Sequence, residues 1–353
     1  MSFWLGFFIS VSGFSIAYFY LKEILKFSFF YEGFCGKIKD DEQSAESNDE
    51  YGADCVGKGE IMQVRVLIEN EPIEHYKNEH GLSLYIAHND KKYLLDTGAS
   101  EKYVRNAALM SIRMSEIDMA FLSHGHYDHS GGFGKFVREN STAPIYAMEG
   151  ALGKFGSASG EGFHEIGVPE AVKDAIKNRV TYINQVTEVA EGVTLVPHST
   201  AGLEAIGERG KLYREKDGEW MWDDFAHEMS VVFETDGELV VFNSCSHAGL
   251  KNIVEEVKAA LPGKKIGAYI GGLHMRGIQG GVEISTYTPE EIKELADYIK
   301  AEGIQYLYTG HCTGQPAYEM LREELGETIL WKLRMDRGIF INEKADGEND
   351  ENL

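Results

Sequence analysis

Positive charge and cysteine are both scarce in this 353-residue chain, and each shortage excludes a class of protein. Lys and Arg number 34 against 57 Asp and Glu, for a formal net charge of −23. The chain has little with which to neutralise a phosphate backbone and is not read as binding nucleic acid. Its four cysteines, Cys35, Cys55, Cys245 and Cys312, are too few and too scattered for a disulfide scaffold and fit a reducing compartment. The N-terminus lacks the positive region and small-residue cleavage site of a secretory signal. What the chain does have is 43% hydrophobic and 11% aromatic content, enough for a packed core.

Charge is missing locally as well. Ser2 to Leu21 run twenty residues without a formal charge, the length that crosses a hydrocarbon core. Lys22, Lys26, Lys37 and Lys39 follow that run and none precedes it. Positive-inside logic therefore predicts a membrane anchor within residues 1–35 and a catalytic part on the inner, cytoplasmic face of the membrane. If translation starts at Met62, where the first strand-like run opens, a soluble cytoplasmic protein is expected instead. Residues 36–60 lack apolar periodicity and read as an acidic linker, and residues 343–353 as an acidic disordered tail. Residues 61–342 remain as one large domain.

Within it, strand and helix patterns alternate. MQVRVLIEN, LSLYIAHN and KKYLLDTG read as strands, the last two joined at Asn89-Asp90; DMAFLS at 118–123 repeats the signal, and MSVVFET and ELVVFN are joined at Asp236-Gly237. GLKNIVEEVKAAL places Leu250, Ile253, Val254, Val257 and Leu261 on one helical face, and Thr288-Pro289-Glu290-Glu291 forms a capping box opening a helix to about Ala301. A strand, GIQYLYTG, and a helix to Gly326 follow. The expected class is α/β (α+β), with two mixed sheets covered by helices.

The chemistry lies just after the 118–123 strand. His124, His126, Asp128 and His129 place three imidazoles and a carboxylate within six residues, a density that packing does not require. Such mixed ligation suits zinc, iron or manganese. On a tight loop His124 and His126 can face one metal while Asp128 and His129 face a second.

The run SHGHYDHSGG resembles the HxHxDH motif of the metallo-β-lactamase fold superfamily, and LLDTG at 94–98 resembles its aspartate turn. More narrowly, NSCSHAGLKNIV, GGLH and YTGHCTG resemble the subfamily of dihydropterin-ribofuranosylaminobenzene-phosphate synthases. Ser244 replaces the glycine usual before that Cys-Ser-His triplet. The resemblance implies an αββα sandwich.

Further ligands are sought at strand ends. His311 follows IQYLYTG, and His247 follows ELVVFN. The broader superfamily pattern implies His227 as ligand with Cys245 as bridge, whereas the subfamily pattern implies His247. Asp96 is expected to orient a ligand histidine. His274, at a glycine-rich rim, is expected to touch substrate or complete one metal's shell, and Cys312 to pack.

The expected cofactors are two divalent transition metals, zinc first, with iron or manganese as alternatives. The first functional expectation is a hydrolase using a metal-activated hydroxide, with Asp128 and His274 as catalytic residues, on a small anionic phosphoester, ester or lactone-like substrate. The resemblance implies instead a transferase condensing a pterin methyl diphosphate with an aminobenzene ribofuranosyl phosphate and releasing pyrophosphate. A non-catalytic metal-binding sensor is the third reading. Residues 149–226 form a long segment that lines a pocket or merely covers the sheet.

Overall fold

Two seven-stranded sheets face each other in the computed structural model, which describes residues 61–158 and 162–342. The expected anchor, linker and tail, with Cys35 and Cys55, lie outside the described residues. Among the described residues no helix is long and apolar enough to cross a membrane.

The first sheet runs from Gly338–Asn342 through Ile61–Ile68, Ser83–His88, Lys91–Leu95, Met119–Leu122 and Ile145–Met148 to Val180–Ile183. The second runs from Leu330–Lys332 through Tyr306–Thr309, Lys265–Ile270, Glu238–Phe242, Met229–Thr235 and Val193–Pro197 to Thr187–Ala190. Each is antiparallel in one half and parallel in the other. The antiparallel halves are built on the expected hairpins. Asn89 and Asp90 have φ of 50° and 58°, and Asp236 and Gly237 have φ of 28° and 80°, the positive values that tight hairpin turns need and these residue types tolerate.

Alternation along the strands assigns the two faces. Val231, Phe233, Val240 and Phe242 point into the core between the sheets, while Val232, Leu239 and Val241 point outward. The outward set is covered by helix Leu250–Ala260, which buries Leu250, Ile253, Val254 and Val257, and by helices Pro289–Ala301 and Gln315–Leu325. Thr288 and Glu291 close the expected capping box, a contribution of about 1 kcal/mol. Helices Lys102–Leu109, Phe133–Glu139 and Glu170–Ile176 bury Tyr103, Phe133, Phe136 and Ile176 in the core that includes the first sheet. The layers are therefore helix, sheet, sheet, helix.

The segment 149–226 does two jobs. Part of it supplies edge strands to both main sheets. The rest builds a separate four-stranded sheet containing Phe155–Ser157, His164–Glu165, Leu212–Lys216 and Glu219–Trp222. The glycine-rich rim after His274 forms a hairpin, Arg276–Gln279 with Val282–Ser285, turning at Gly280 and Gly281.

Candidate metal centre

The parallel halves of both sheets end at one edge, where α/β folds place their ligands. Asp96 follows Lys91–Leu95, and His124 and His126 follow Met119–Leu122. Asp128 and His129 ride on the single helical turn Tyr127–Ser130. Cys245 and His247 lie between Glu238–Phe242 and the next helix, His274 follows Lys265–Ile270, and His311 follows Tyr306–Thr309. All are buried except His274, which is half-buried. Two close approaches shape these turns. A Cβ at Gly131 would collide with the Ala99 carbonyl, and one at Gly272 with Cys312 Sγ.

The donors form two groups. Ligand-type atoms of His124, His126 and His247 lie within 4.8 Å of one another. In the second group, Asp128 Oδ2 is 3.6 Å from His129 Nε2 and 3.5 Å from His311 Nε2, and those two nitrogens are 3.1 Å apart. Cys245 Sγ, 3.2 Å from His129 Nε2, also clusters with His124 and with His247 and so stands between the groups. His274 clusters with Cys245 and His247, and Cys312, expected only to pack, clusters with Cys245 and His311.

Hydrogen bonds around the rings fix which nitrogens face inward. Asp96 accepts from Ser123 N at 2.8 Å and from Ser123 Oγ at 2.6 Å, and its Oδ2 lies 2.7 Å from His129 Nδ1. Ser123 Oγ, donating to Asp96, accepts from His124 Nδ1 at 2.8 Å. Asn70 Oδ1 accepts from His311 Nδ1 at 2.9 Å. The Nε2 atoms of His124, His129 and His311 are left facing into the site. The Nε2 atoms of His129 and His311 face each other at 3.1 Å. His126 Nε2, His247 Nδ1 and His274 Nδ1 are buried without a hydrogen-bond partner. The residues therefore fit a metal-binding role.

Charge is distributed unevenly. Burial and the neighbouring imidazoles hold His124 and His247 well below the ordinary histidine value and His126 down to about 3, so these three are uncharged donors at neutral pH. Burial opposes charge on His129 too, but Asp128 and Asp96 outweigh it and raise the ring to about 9. Asp128 is held well below the usual carboxylate range: burial opposes this, yet His129, His311 and His80 prevail. Burial pushes the Cys245 thiol well up, a preference that metal coordination inverts.

The structure separates the two candidates for the remaining histidine. His227 Nδ1 accepts from Gly125 N at 2.9 Å and its Nε2 is 3.0 Å from Asp223 Oδ2. Both ring nitrogens are thus engaged outside the donor groups. His247 points Nε2 at His124 Nε2, 3.3 Å away.

Several supporting residues escaped sequence reasoning. Glu69 accepts from His311 N at 2.6 Å, and Glu228 accepts from the backbone N–H of His247 and Ala248, each at 2.9 Å. Buried His198 joins Glu256 and Ser230 at 2.7 and 2.9 Å; Asn243, bonded to Ser230, accepts from Ser246 N at 2.7 Å and so steadies the turn carrying Cys245 and His247. His80 Nε2 lies 3.3 Å from Asp128 Oδ2. A signal existed for Glu69 and Asn70, a polar pair ending the apolar strand VRVLI.

A cleft of about 790 Å³ opens over the donors, within the range of small-molecule sites. Its walls include His164, Glu165, Arg209 and Lys211 from the 149–226 segment, and Arg276 and Ile278 from the rim hairpin. That segment therefore does line a pocket. Trp220 and Trp222 pack against Phe163 and Tyr213 and are not among the lining residues.

The helix, sheet, sheet, helix architecture is the metallo-β-lactamase fold. The family model of the metallo-beta-lactamase superfamily matches residues 77–235, and that superfamily is metal-dependent. The chain is 27% identical over 297 residues to the 7,8-dihydropterin-6-methyl-4-(beta-D-ribofuranosyl)-aminobenzene-5'-phosphate synthase of Methanocaldococcus jannaschii, covering 77% of this chain and 94% of that protein. An uncharacterized protein of the same organism, MJ0448, is 25% identical over 265 residues, covering 74% of this chain and 94% of that one. The solved structure of Tm1679, described as a metal-dependent hydrolase of the beta-lactamase superfamily, is 25% identical with a TM-score of 0.65, covering 80% of this chain and 99% of that one.

Proposed function

We propose that this protein is a metal-dependent transferase that joins a pterin methyl diphosphate to an aminobenzene ribofuranosyl phosphate and releases diphosphate. The observation that carries the reading is the similarity to the M. jannaschii synthase across 94% of that protein's length. The cleft of about 790 Å³ lies over these donors and is of small-molecule size. In this reading two divalent transition metals, zinc before iron or manganese, would be held by His124, His126 and His247 and by Asp128, His129 and His311, with Cys245 available to either. Bound there, such metals would supply Lewis-acid stabilisation of the diphosphate oxygens.

The chain's own residues do the rest. Asp96, Ser123 and Asn70 keep the ligand rings in the donor tautomer. The amine nitrogen is the strongest nucleophile of an aminobenzene. As its bond to the pterin methylene carbon forms, the carbon–oxygen bond to diphosphate breaks, and the nitrogen must shed a proton. His274, on the cleft wall with an unpartnered Nδ1 and its ring 4.1 Å from that of His247, is assigned to take it. The test is diphosphate release from metal-loaded protein given each substrate singly and then both. Release only with both supports the transferase; release from the pterin diphosphate alone rejects it.

Hydrolysis, the first expectation from sequence, stands as the second reading, supported by the likeness to the metal-dependent hydrolase Tm1679. Turnover of a simple phosphoester or lactone without a second substrate favours it.

A further inference from the structure

Three cationic side chains, Arg209, Lys211 and Arg276, line the cleft of this strongly acidic chain. Two of them are committed to neighbours. Both terminal nitrogens of Arg209 donate to Glu291, and its guanidinium lies 4.2 Å from the centre of the Tyr287 ring. Arg276 donates Nε to Glu283 at 2.7 Å, and Glu283 also accepts from Gln315 N. Lys211 is different. Its side chain makes no hydrogen bond or ion pair among the described residues, and the residue is exposed.

The backbone at Lys211 is anchored firmly all the same. It caps the helix Glu204–Gly210 in the left-handed conformation, with φ 53° and ψ 44°. Its N–H donates to the Glu208 carbonyl, and its own carbonyl accepts from Ala158 N at 3.0 Å. Helices ending this way take glycine at the left-handed position; here Gly210 stands one place early and a lysine holds the strained position. A non-glycine residue kept there is a pointer to function. The location agrees, because a Cβ on adjacent Gly210 would lie 3.7 Å from His274 Nε2. Lys211 therefore stands on the wall beside the assigned proton acceptor, while Glu165 is a carboxylate lining the same cleft.

We infer that Lys211 anchors a phosphomonoester group of the substrate at a second anion position, apart from the two donor groups. This rests on the transferase reading and deepens it. A sugar-phosphate acceptor carries a phosphate that takes no part in bond making, and it needs a cation away from the one diphosphate leaves from. A phosphomonoester dianion offers three strong acceptor oxygens, and an ammonium offers three donors with no geometric demand.

The test uses the full chain loaded with metal and saturated with inorganic diphosphate, titrated with ribose 5-phosphate and, separately, with ribose. Wild type is expected to bind the phosphate and not the free sugar. Lys211→Met is expected to weaken ribose 5-phosphate binding about 10- to 100-fold, the range for a charge-assisted contact, and Lys211→Arg to retain it. Lys211→Gly suits the left-handed backbone, so the same loss in that variant is not a folding defect. Equal affinity in wild type and Lys211→Met, or no binding by wild type, overturns the inference. The two readings fail separately. If the transferase holds but Lys211 is not the anchor, Lys211→Met leaves the acceptor KM unchanged; if Lys211 is the anchor, KM rises about 10- to 100-fold with kcat within about threefold. Should turnover be absent, the ribose 5-phosphate titration alone decides the subsite.

Discussion

The group of His124, His126 and His247 contains no carboxylate, whereas the group of His129 and His311 includes Asp128 and leans on Asp96. The first is a set of imidazoles that burial has already stripped of protons. The second carries compensating charge, with one ring raised to about 9 beside a depressed carboxylate. In the proposed dinuclear reading, two positions in one cleft are therefore prepared for a cation by opposite means. One offers neutral donors and nothing to displace; the other offers negative charge and a proton to give up.

The most severe way to break this comparison is to remove the carboxylate. Asp128→Ala is expected to leave one metal per chain by elemental analysis and to cost turnover about a thousandfold or more, the scale of several kcal/mol of lost charge stabilisation. Retention of two metals at full occupancy would show that Asp128 is not a ligand. His247→Ala is the matching change in the neutral group. It is expected to lose one metal equivalent, or to weaken the affinity of that position by at least 10- to 100-fold, in a chelator competition.

Proton release sharpens the contrast without mutation. The raised ring of His129 must lose a proton before it can bind a metal, so uptake at the second group is expected to strengthen with rising pH through the neutral range, by up to about tenfold per unit below pH 9. His126, protonated only near pH 3, gives the first group no such slope. Calorimetry in buffers of different ionisation enthalpy should read, beyond the proton that the Cys245 thiol gives up on coordination, close to one further proton for the second group's metal and none for the first's. Equal release by both would erase the distinction. The smallest effect is expected from His227→Ala, which should keep both metals and weaken the first position by no more than about tenfold, because both ring nitrogens of His227 are engaged by Gly125 N and Asp223 and neither is free to be a ligand.

Those expectations divide along what a sequence can disclose. The six-residue cluster is local and needs no partner to be recognised. The hairpins at Asn89-Asp90 and Asp236-Gly237 and the capped helix at Thr288 follow from turn and capping chemistry that acts over a few residues. The ambiguity between His227 and His247 was not local: it depended on where Gly125 and His124 stand, 102 and 123 positions away, once the second sheet is folded against the first. Glu69, Asn70 and Glu228 went unseen for the same reason, since each bonds to residues 19 to 242 positions away. The rim hairpin was missed because glycines at 280 and 281 read equally as a loose loop and as a tight turn.

The grip of Glu69 and Asn70 on His311 has a consequence for timing. His129 and its partner His311 are separated by 182 positions. At synthesis rates of about 5–20 residues per second, the conspicuous cluster at 124–129 leaves the ribosome roughly ten to forty seconds before the histidine that completes its second half. A newly made chain passes through an interval in which it shows exposed imidazoles without the geometry to select among metals. Correct loading then belongs to the last stage of the protein's making, when the C-terminal strands dock and the earliest strand, through Glu69 and Asn70, takes hold of the latest ligand.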